Sequence, residues 1–334
     1  MKHPYFVAEI SANHLGSLGR AHELIEAAAQ CEANAIKLQT YRPESMTLNI
    51  TDFAVSQKHA LWGGMNLYRL YQEAMTPWEW HKELFEHARE LGMQAFSSPF
   101  DISAVDFLEE IDCPIYKIAS LETGDVDLIS YVASKGKEMI ISTGASTLEE
   151  VERAVNAAKS VGDKLTLLVC TSSYPAEAKD AHVKRILTIK EKFAVNVGIS
   201  DHTLGIGVSI AAIALGATVI EKHLTLRRSD GGHDAAFSLE PQEFRSLVQE
   251  GKNAYASLGK AEWMMLPAET ESRRLRRSLY ISKSVRKGEV ATRENVQALR
   301  PNTGGSIGNL QHILGKKFVA NFNAGDPANL DCFE

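Results

Sequence analysis

The chain has 334 residues, a formal net charge of −6, 44% hydrophobic residues and 23% charged residues. This length suits a barrel of about 250 residues followed by a small module, and the composition predicts a large buried core. The acidic balance, with no dense Lys/Arg patch apart from 273–277, argues against a nucleic-acid partner.

The sequence carries no sign of a membrane or secreted protein. No basic segment followed by an apolar one begins the chain, and no apolar run reaches the roughly 18 residues of a membrane span. We therefore expect no membrane partner and a cytoplasmic location. The scattered cysteines form no CxxC pair, which favours a reduced chain over a disulfide scaffold or a zinc knuckle; they are Cys31, Cys113, Cys170 and Cys332.

Short, apolar, β-rich runs alternate with amphipathic stretches of helical spacing along the first 225 residues. This alternation is typical of an α/β protein with a parallel sheet. Eight repeats favour a closed (β/α)8 TIM barrel over an open doubly wound sheet, and no GxGxxG follows the first strand. The predicted strands are 6–10, 35–39, 94–98, 115–118, 139–142, 165–170, 195–199 and 218–222, and the clearest helices are 21–31, 77–91, 148–161 and 206–215.

Changes in the sequence pattern divide the chain into a barrel, a linker and a small C-terminal domain. We place the barrel at 1–257, a polar linker at 258–274 and a compact, mostly β domain at 275–334, which is small enough to need docking on a barrel. The segment 41–76 is a long insertion after the second strand. In a barrel it would lie over the catalytic mouth, where long loops carry function.

Polar groups follow every predicted strand at its carboxyl end, which is where barrel enzymes place their catalytic residues. Lys37 and Lys117, with serines nearby, indicate a phosphate site, although a satisfied buried ion pair is the alternative for a single lysine. His202 and His223 end neighbouring strands, so their imidazoles are expected to converge on one divalent ion. An open site of two nitrogens completed by oxygens suits Mn²⁺, Co²⁺ or Mg²⁺.

Several segments resemble those of the sialic acid synthase family, and the resemblance covers nearly the whole chain. The insertion, with Leu61-Trp62, and the segment 235–241 are most similar to the pseudaminic acid synthases of that family. The barrel segments that carry the resemblance are Ala8-Glu9-Ile10, Asn13-His14, Lys37-Leu38-Gln39, Lys117-Ile118-Ala119-Ser120, Ser200-Asp201-His202-Thr203 and Glu221-Lys222-His223. In the tail, Arg277-Ser278-Leu279-Tyr280, Lys287-Gly288-Glu289 and Leu299-Arg300-Pro301 resemble the family's antifreeze-like (SAF) domain.

The resemblance implies a role for each matched position. Phosphoenolpyruvate would be held by Lys37, Ser98, Lys117, Ser120, Ser172 and Ser200, the metal by His202 and His223, and the sugar pocket would be lined by Asn13 and Tyr174. Asp234 would hold a metal-bound water or the sugar, and Arg300 would reach in from a partner, which implies a domain-swapped homodimer. The chain departs from the family at two points: Ser172 stands where Asn is frequent, and Gly232-His233-Asp234 replaces the usual Gly-Pro-Asp.

The implied reaction joins phosphoenolpyruvate to an open-chain acylamino-sugar and releases phosphate by C–O cleavage. Glu9 and Glu122 are the candidates for proton handling and Glu221 for orienting groups near the metal, with a structural ion pair to a lysine as the alternative for each. The same core serves N-acetylneuraminate and legionaminate synthases. Two rivals stand further off: a 3-deoxy-octulosonate or heptulosonate phosphate synthase on the same barrel, and a non-catalytic sugar-binding or ice-binding protein.

Overall fold

The computed structural model describes residues 4–334, and within them eight parallel strands close into one barrel in chain order. The first strand pairs with both the second and the eighth, which closes the ring. Each strand lies within about one residue of its predicted position, so the TIM-barrel prediction is confirmed. The strands are β1 Tyr5–Glu9, β2 Ala35–Thr40, β3 Gln94–Pro99, β4 Ile115–Ile118, β5 Glu138–Ser142, β6 Leu165–Cys170, β7 Asn196–Ser200 and β8 Val219–His223.

Four of the barrel helices begin after a residue whose side chain caps them: Ser17, Asp101, Asp125 and Thr147. Thr147 and Glu150 form a capping box at the start of the helix that the sequence predicts from residue 148. Pro77 occupies the cap position itself and the helix begins at Trp78, one residue later than a first-turn proline would require. The helices are α1 Leu18–Gln30, α2 Pro43–Met46, α3 Leu67–Ala74, α4 Trp78–Glu90, α5 Ile102–Glu110, α6 Val126–Ser134, α7 Leu148–Ala157, α8 Arg185–Phe193, α9 Gly207–Ala214 and α10 Pro241–Ser257.

The insertion 41–76 contains α2 and α3 and contacts loops at the carboxyl ends of the strands. Thr76 Oγ1 lies 3.2 Å from His14 Nε2, and Glu73 Oε2 lies 3.3 Å from His233 Nε2. Because both histidines follow strand ends, the insertion packs at the mouth of the barrel, where its length predicts that it should lie.

The chain splits into two compact units, the first ending at Gly259 and the second spanning Lys260–Glu334. The second unit has its own small core, which includes Leu279, Ile281 and Phe318. Its strands β9 Ser278–Ile281 and β10 Val296–Leu299 pair antiparallel, and its helices are the short α11 Thr270–Arg274 and α12 Leu310–Ile313. The predicted linker thus carries one short helix. Within residues 4–334 no helix combines the length and apolarity that a bilayer span requires.

A buried ion pair joins the ends of β7 and β8 on the outer side of the barrel wall. Lys222 Nζ lies 2.9 Å from Asp201 Oδ2, and neither side chain is exposed. Asp201 also accepts hydrogen bonds from Ser209 on α9 and from the backbone and hydroxyl of Thr203. Since side chains alternate across a strand, this outer pair fixes strand ends whose next residues, His202 and His223, can face inward.

Removal of the Asp201 charge is expected to destabilise the fold. The change Asp201→Asn leaves the Lys222 ammonium buried without a counter-charge, so the free energy of unfolding should fall by about 3–5 kcal/mol. Urea titration followed by circular dichroism measures the loss. The matched control is Glu152→Gln in the half-exposed pair with Lys192, since such pairs contribute about 0–1 kcal/mol. Equal losses in the two variants would contradict the anchoring role of the buried pair.

Candidate active site

The strand register brings the predicted site residues to one rim of the barrel. Glu9 stands in register with Lys37 on β2 and with His223 on β8. Ser200 stands in register with Glu221 on the other side of β8. A lysine, two carboxylates, a serine and a histidine therefore meet across the seam where the barrel closes, as the strand-end rule predicts.

Two lysines and two glutamates form a buried cluster at this rim. Lys37 Nζ makes a short ion pair with Glu9 and lies 3.9 Å from Glu221 Oε1, while Lys117 Nζ lies 3.8 Å from the same oxygen. Ser200 Oγ donates a hydrogen bond of 2.9 Å to Glu221 Oε1. The two Glu221 contacts are too long for hydrogen bonds, so both ammonium groups keep N–H donors for a ligand.

The charges within the cluster shift one another's pKa values. Burial alone would raise the pKa of Glu221, but Lys117 and Lys37 outweigh it and hold that pKa at about 2. Burial lowers the pKa of Lys117, and the like charge of Lys37 adds to that effect. Glu9 and Glu221 thus serve as counter-ions of the lysines, which is the ion-pair role that the sequence left open for those two carboxylates beside a catalytic one. Both oxygens of Glu9 have partners, because Oε2 meets Lys37 and Oε1 accepts a hydrogen bond from Ser11 N at 2.8 Å.

The serines line a cradle that only a glycine leaves open. Gly144 N donates to Ser120 Oγ at 3.1 Å, and a Cβ at Gly144 would lie 2.3 Å from Ser172 Oγ. On the β2–β3 side, Lys37 Nζ lies 3.5 Å from Ser98 Oγ. Hydroxyl donors beside two ammonium groups form a site suited to a phosphate or carboxylate anion. The sequence did not single out Gly144, although it follows β5 in Ser-Thr-Gly.

The two predicted metal ligands lie side by side, each with its Nδ1 atom directed at an oxygen of a neighbouring residue. The rings of His202 and His223 are 5.3 Å apart. His202 Nδ1 donates to Thr171 O at 3.1 Å, whereas His223 Nδ1 lies 3.3 Å from Asp234 Oδ2 without forming a hydrogen bond to it. Neither Nε2 atom has a hydrogen-bond partner in the described part of the chain. Such outer contacts orient histidine ligands and leave the second nitrogen for a metal.

These residues fit a divalent ion bound in an open site. Between residues 4 and 334 no group of three or more His, Cys, Asp or Glu forms a ready-made cage. Two imidazole nitrogens with water or substrate oxygens would complete the coordination instead. The neighbouring histidine at the mouth is less suited, because His14 Nδ1 accepts from Gly16 N and its Nε2 contacts Thr76.

Glu122 differs from the other two carboxylates because it makes no ion pair in the part of the chain that the structure describes. Its Oε2 is buried without a hydrogen-bond partner. Burial raises the pKa of Glu122 to about 7, against the opposing charge of Lys117. A carboxyl poised near neutral pH beside a cationic cluster is suited to general acid–base catalysis.

The predicted sugar-side residues border the histidines. Asn13 Nδ2 donates to Leu224 O and Ser238 Oγ, which leaves its buried Oδ1 unpartnered within residues 4–334 and able to accept from a ligand. The Tyr174 ring lies 4.5 Å from the His202 ring. Arg300 belongs to the second unit, so its role in a partner's site stays a prediction.

Two further residues touch this region and were not assigned a role from the sequence. Cys170 ends β6 with its Sγ 3.7 Å from His202 Nδ1, and the strand-end rule already pointed to that position. Trp62, on the insertion, lies against Tyr174 with ring centroids 5.4 Å apart. No local signal in the sequence could have shown this second contact, because 112 residues separate the two rings.

The fold and this arrangement define a (β/α)8-barrel enzyme with its site at the carboxyl ends of the strands. Comparison with known proteins narrows the class. Residues 24–263 match the NeuB family and residues 276–334 match the SAF domain. The chain belongs to the NeuB family, and the family and enzyme predictions are confirmed.

Characterised relatives share nearly the full length. The chain is 42% identical to the pseudaminic acid synthase of Helicobacter pylori over 99% of this chain and 98% of the relative. It is 34% identical to the N,N'-diacetyllegionaminic acid synthase of Campylobacter jejuni over 96% of this chain and 98% of that protein. A solved N-acetylneuraminic acid synthetase from Leptospira borgpetersenii is 32% identical, with a TM-score of 0.73 over 81% of this chain and 90% of that one.

The raised pKa of Glu122 predicts the pH dependence of catalysis. A carboxyl with a pKa of about 7 is protonated below that pH and serves as a base only above it, so kcat/KM should rise through about pH 7. Glu122→Gln should lower kcat by about 10²–10⁴-fold and abolish this rise. Steady-state rates across pH 5.5–9 measure both effects, roughly the range in which such a group titrates. The exposed Glu110→Gln is the control, and an unchanged acidic limb in Glu122→Gln would contradict the assignment.

Proposed function

We propose that this protein condenses phosphoenolpyruvate with 2,4-diacetamido-2,4,6-trideoxy-altropyranose to give pseudaminic acid and phosphate. The observation that carries the proposal is the meeting of Lys37 and Lys117 around Glu221 on the strand that ends in His223. One side of the site thus suits an anion and the other a polarised oxygen. Identity of 42% to pseudaminic acid synthases supports the choice of sugar over the N-acetylneuraminate and legionaminate alternatives.

The lysine side would bind phosphoenolpyruvate. The two buried lysines are balanced by Glu9 and Glu221, so the positive and negative charges of the cluster are equal in number. Its free N–H donors and the hydroxyls of Ser98, Ser120, Ser172 and Ser200 would satisfy phosphate and carboxylate oxygens. A buried anion requires such charge-assisted hydrogen bonds, because water is excluded from the site.

The histidine side would bind a divalent cation and the sugar aldehyde. His202 and His223 would each supply Nε2, with Asp234 beside His223 to hold a bound water or a sugar hydroxyl. A divalent ion bound there would supply Lewis-acid polarisation of the C1 carbonyl oxygen. Mn²⁺, Co²⁺ and Mg²⁺ all suit nitrogen ligands completed by water and substrate oxygens.

The residues of the chain would then govern bond formation and proton transfer. C3 of phosphoenolpyruvate attacks C1 of the aldehyde, forming the new carbon–carbon bond as the C2=C3 double bond becomes single, and the aldehyde oxygen takes a proton from solvent. Water adds at C2 and gives its proton to Glu122, the unpaired carboxyl. The C2–O bond to the phosphate breaks and phosphate leaves with its bridging oxygen, while the C2 hydroxyl passes its proton to the departing phosphate and becomes the keto group.

Turnover with phosphoenolpyruvate labelled with oxygen-18 in the bridging position tests this function. We expect the altro-configured diacetamido sugar to give pseudaminic acid, with the label in the released phosphate, as measured by NMR and mass spectrometry. N-acetylmannosamine and the diacetamido sugar of manno configuration should react more slowly, and His202→Ala should be inactive. Label retained in the sugar acid would contradict C–O cleavage. If only a sugar of manno configuration gave product, that sugar would be the substrate and the altro assignment would be wrong. If no sugar led to phosphate release, the proposed function would be refuted.

Complementation between inactive subunits tests the proposed domain-swapped homodimer. His223→Ala removes a barrel site, and Arg300→Ala removes the group that would reach into the partner's site. Co-expression of the two inactive chains should restore about a quarter of wild-type activity, because half of the dimers are mixed and each has one complete site. If Arg300 served its own barrel, no mixed dimer would contain a complete site and the mixture would stay inactive.

A further inference from the structure

We infer that Trp62 is a positioning residue for the sugar half of the site, and that it selects sugars with apolar substituents. This inference rests on the proposed function, since it assumes a sugar bound beside His202 and His223. It concerns a residue of the insertion 41–76, outside the strand ends that form the rest of the site. Three contacts of its indole ring carry the argument.

Trp62 joins the insertion to two other segments of the mouth. Its Nε1–H donates a 3.0 Å hydrogen bond to the carbonyl oxygen of His233. Its ring lies 5.4 Å from the Tyr174 ring and stacks on His59 at 4.7 Å and 11°. The side chain is therefore held by two ring contacts and by a hydrogen bond at its polar edge, an arrangement typical of an aromatic group that orients its neighbours.

The segment held by the indole N–H has little stiffness of its own. Gly231 and Gly232 precede His233 with φ values of 77° and 111°, in the region where only glycine is unstrained. A proline at position 233 would restrict the backbone, but this chain has histidine. Trp62 and Glu73, which contact the carbonyl and the ring of His233, restrain the loop instead. Asp234, the next residue, thereby stays beside His223.

Both targets of Trp62 belong to the sugar side. Tyr174 packs 4.5 Å from His202 and 5.2 Å from Phe237, which in turn lies 4.9 Å from His223. In the part of the chain that the structure describes, no hydrogen bond, ion pair or ring contact joins Trp62 to the lysines or serines of the anion site. A change at Trp62 therefore acts first on the sugar side and reaches the anion site only through Tyr174, whose hydroxyl hydrogen-bonds Ser172.

The aromatic wall of Trp62, Tyr174 and Phe237 also indicates the kind of sugar. Burial of acetamido methyl groups and a deoxy carbon against aromatic rings lowers the free energy of the bound state. Hydroxyl groups at the same carbons would lose hydrogen bonds to water without replacement. The wall therefore favours a diacetamido trideoxy sugar over N-acetylmannosamine, which carries more hydroxyl groups.

Kinetics of Trp62→Ala with each substrate varied in turn tests the inference. The KM for the diacetamido sugar should rise by about ten- to a hundred-fold, from the loss of one aromatic contact and one buried hydrogen bond. The KM for phosphoenolpyruvate should rise several-fold less than the KM for the sugar, because Trp62 reaches the anion site only through Tyr174 and Ser172. The ratio of kcat/KM between this sugar and N-acetylmannosamine should fall by about tenfold.

Two variants separate positioning from general packing. Trp62→Phe keeps an aromatic ring without the indole N–H, so its sugar KM should lie between those of the wild type and Trp62→Ala. Phe53→Ala truncates another aromatic residue of the insertion. Phe53 is 41% exposed and makes no ring contact with Tyr174 among the described residues, so both KM values should stay unchanged. Equal rises in both KM values for Trp62→Ala would show a packing role only and overturn the inference.

Amide hydrogen exchange of the unliganded protein tests the positioning without any turnover. The amides of 233–237 should exchange faster in Trp62→Ala than in the wild type or Phe53→Ala, because the hydrogen bond to His233 O is lost. Unchanged exchange there would refute the positioning role whatever the substrate. If the wild type forms product and the two sugars respond equally to Trp62→Ala, the selectivity inference fails while the proposed function stands.

Discussion

The carboxylate of Glu221 between two buried lysines is the interaction on which the site depends. Two ammonium groups this close repel each other and lose hydration, so neither stays charged in a barrel interior without an acid between them. Glu221 meets both lysines at 3.8–3.9 Å, and Glu9 supplies the second negative charge. The neutral cluster lets the fold carry an anion-binding site before any anion arrives, and its long contacts leave the lysine donors free.

The same strand ends build the site on one face and its support on the other. In Glu221-Lys222-His223 and Ser200-Asp201-His202, the middle residues Lys222 and Asp201 face outward and form the buried ion pair. The first residue of each tripeptide faces the lysine cluster, and the two histidines face each other. Period-two alternation therefore makes each tripeptide serve two surfaces. A displacement of either strand by one residue would exchange site and support, so the outer ion pair and the inner site specify the same register.

The sequence was sufficient for everything that follows from periodicity. Eight strands, their order and the rim that holds Lys37, Lys117, His202 and His223 all come from alternation and the strand-end rule. The roles of the carboxylates were not separable, because Glu9 and Glu122 both lie near strand ends and differ only in their three-dimensional partners. Glu9 forms an ion pair with Lys37, while Glu122 forms none among the described residues and its Oε2 atom is buried without a hydrogen-bond partner. The contact of Trp62 with Tyr174 was not predicted for a related reason. Loops have no sequence period, so contacts between them cannot be inferred from the spacing of residues.

The two halves of the site rest on different kinds of structure, and this difference bears on specificity. The anion half stands on strands whose register the closed barrel fixes, so a change there disturbs the core as well as the ligand. The sugar half is carried by loops: the insertion with Trp62, the turn with Tyr174 and the glycine-rich segment before Asp234. Loops tolerate substitution without loss of the fold. A barrel of this kind can therefore keep one way of binding an enol phosphate while its loops adapt to sugars that differ in a methyl, a hydroxyl or a stereocentre.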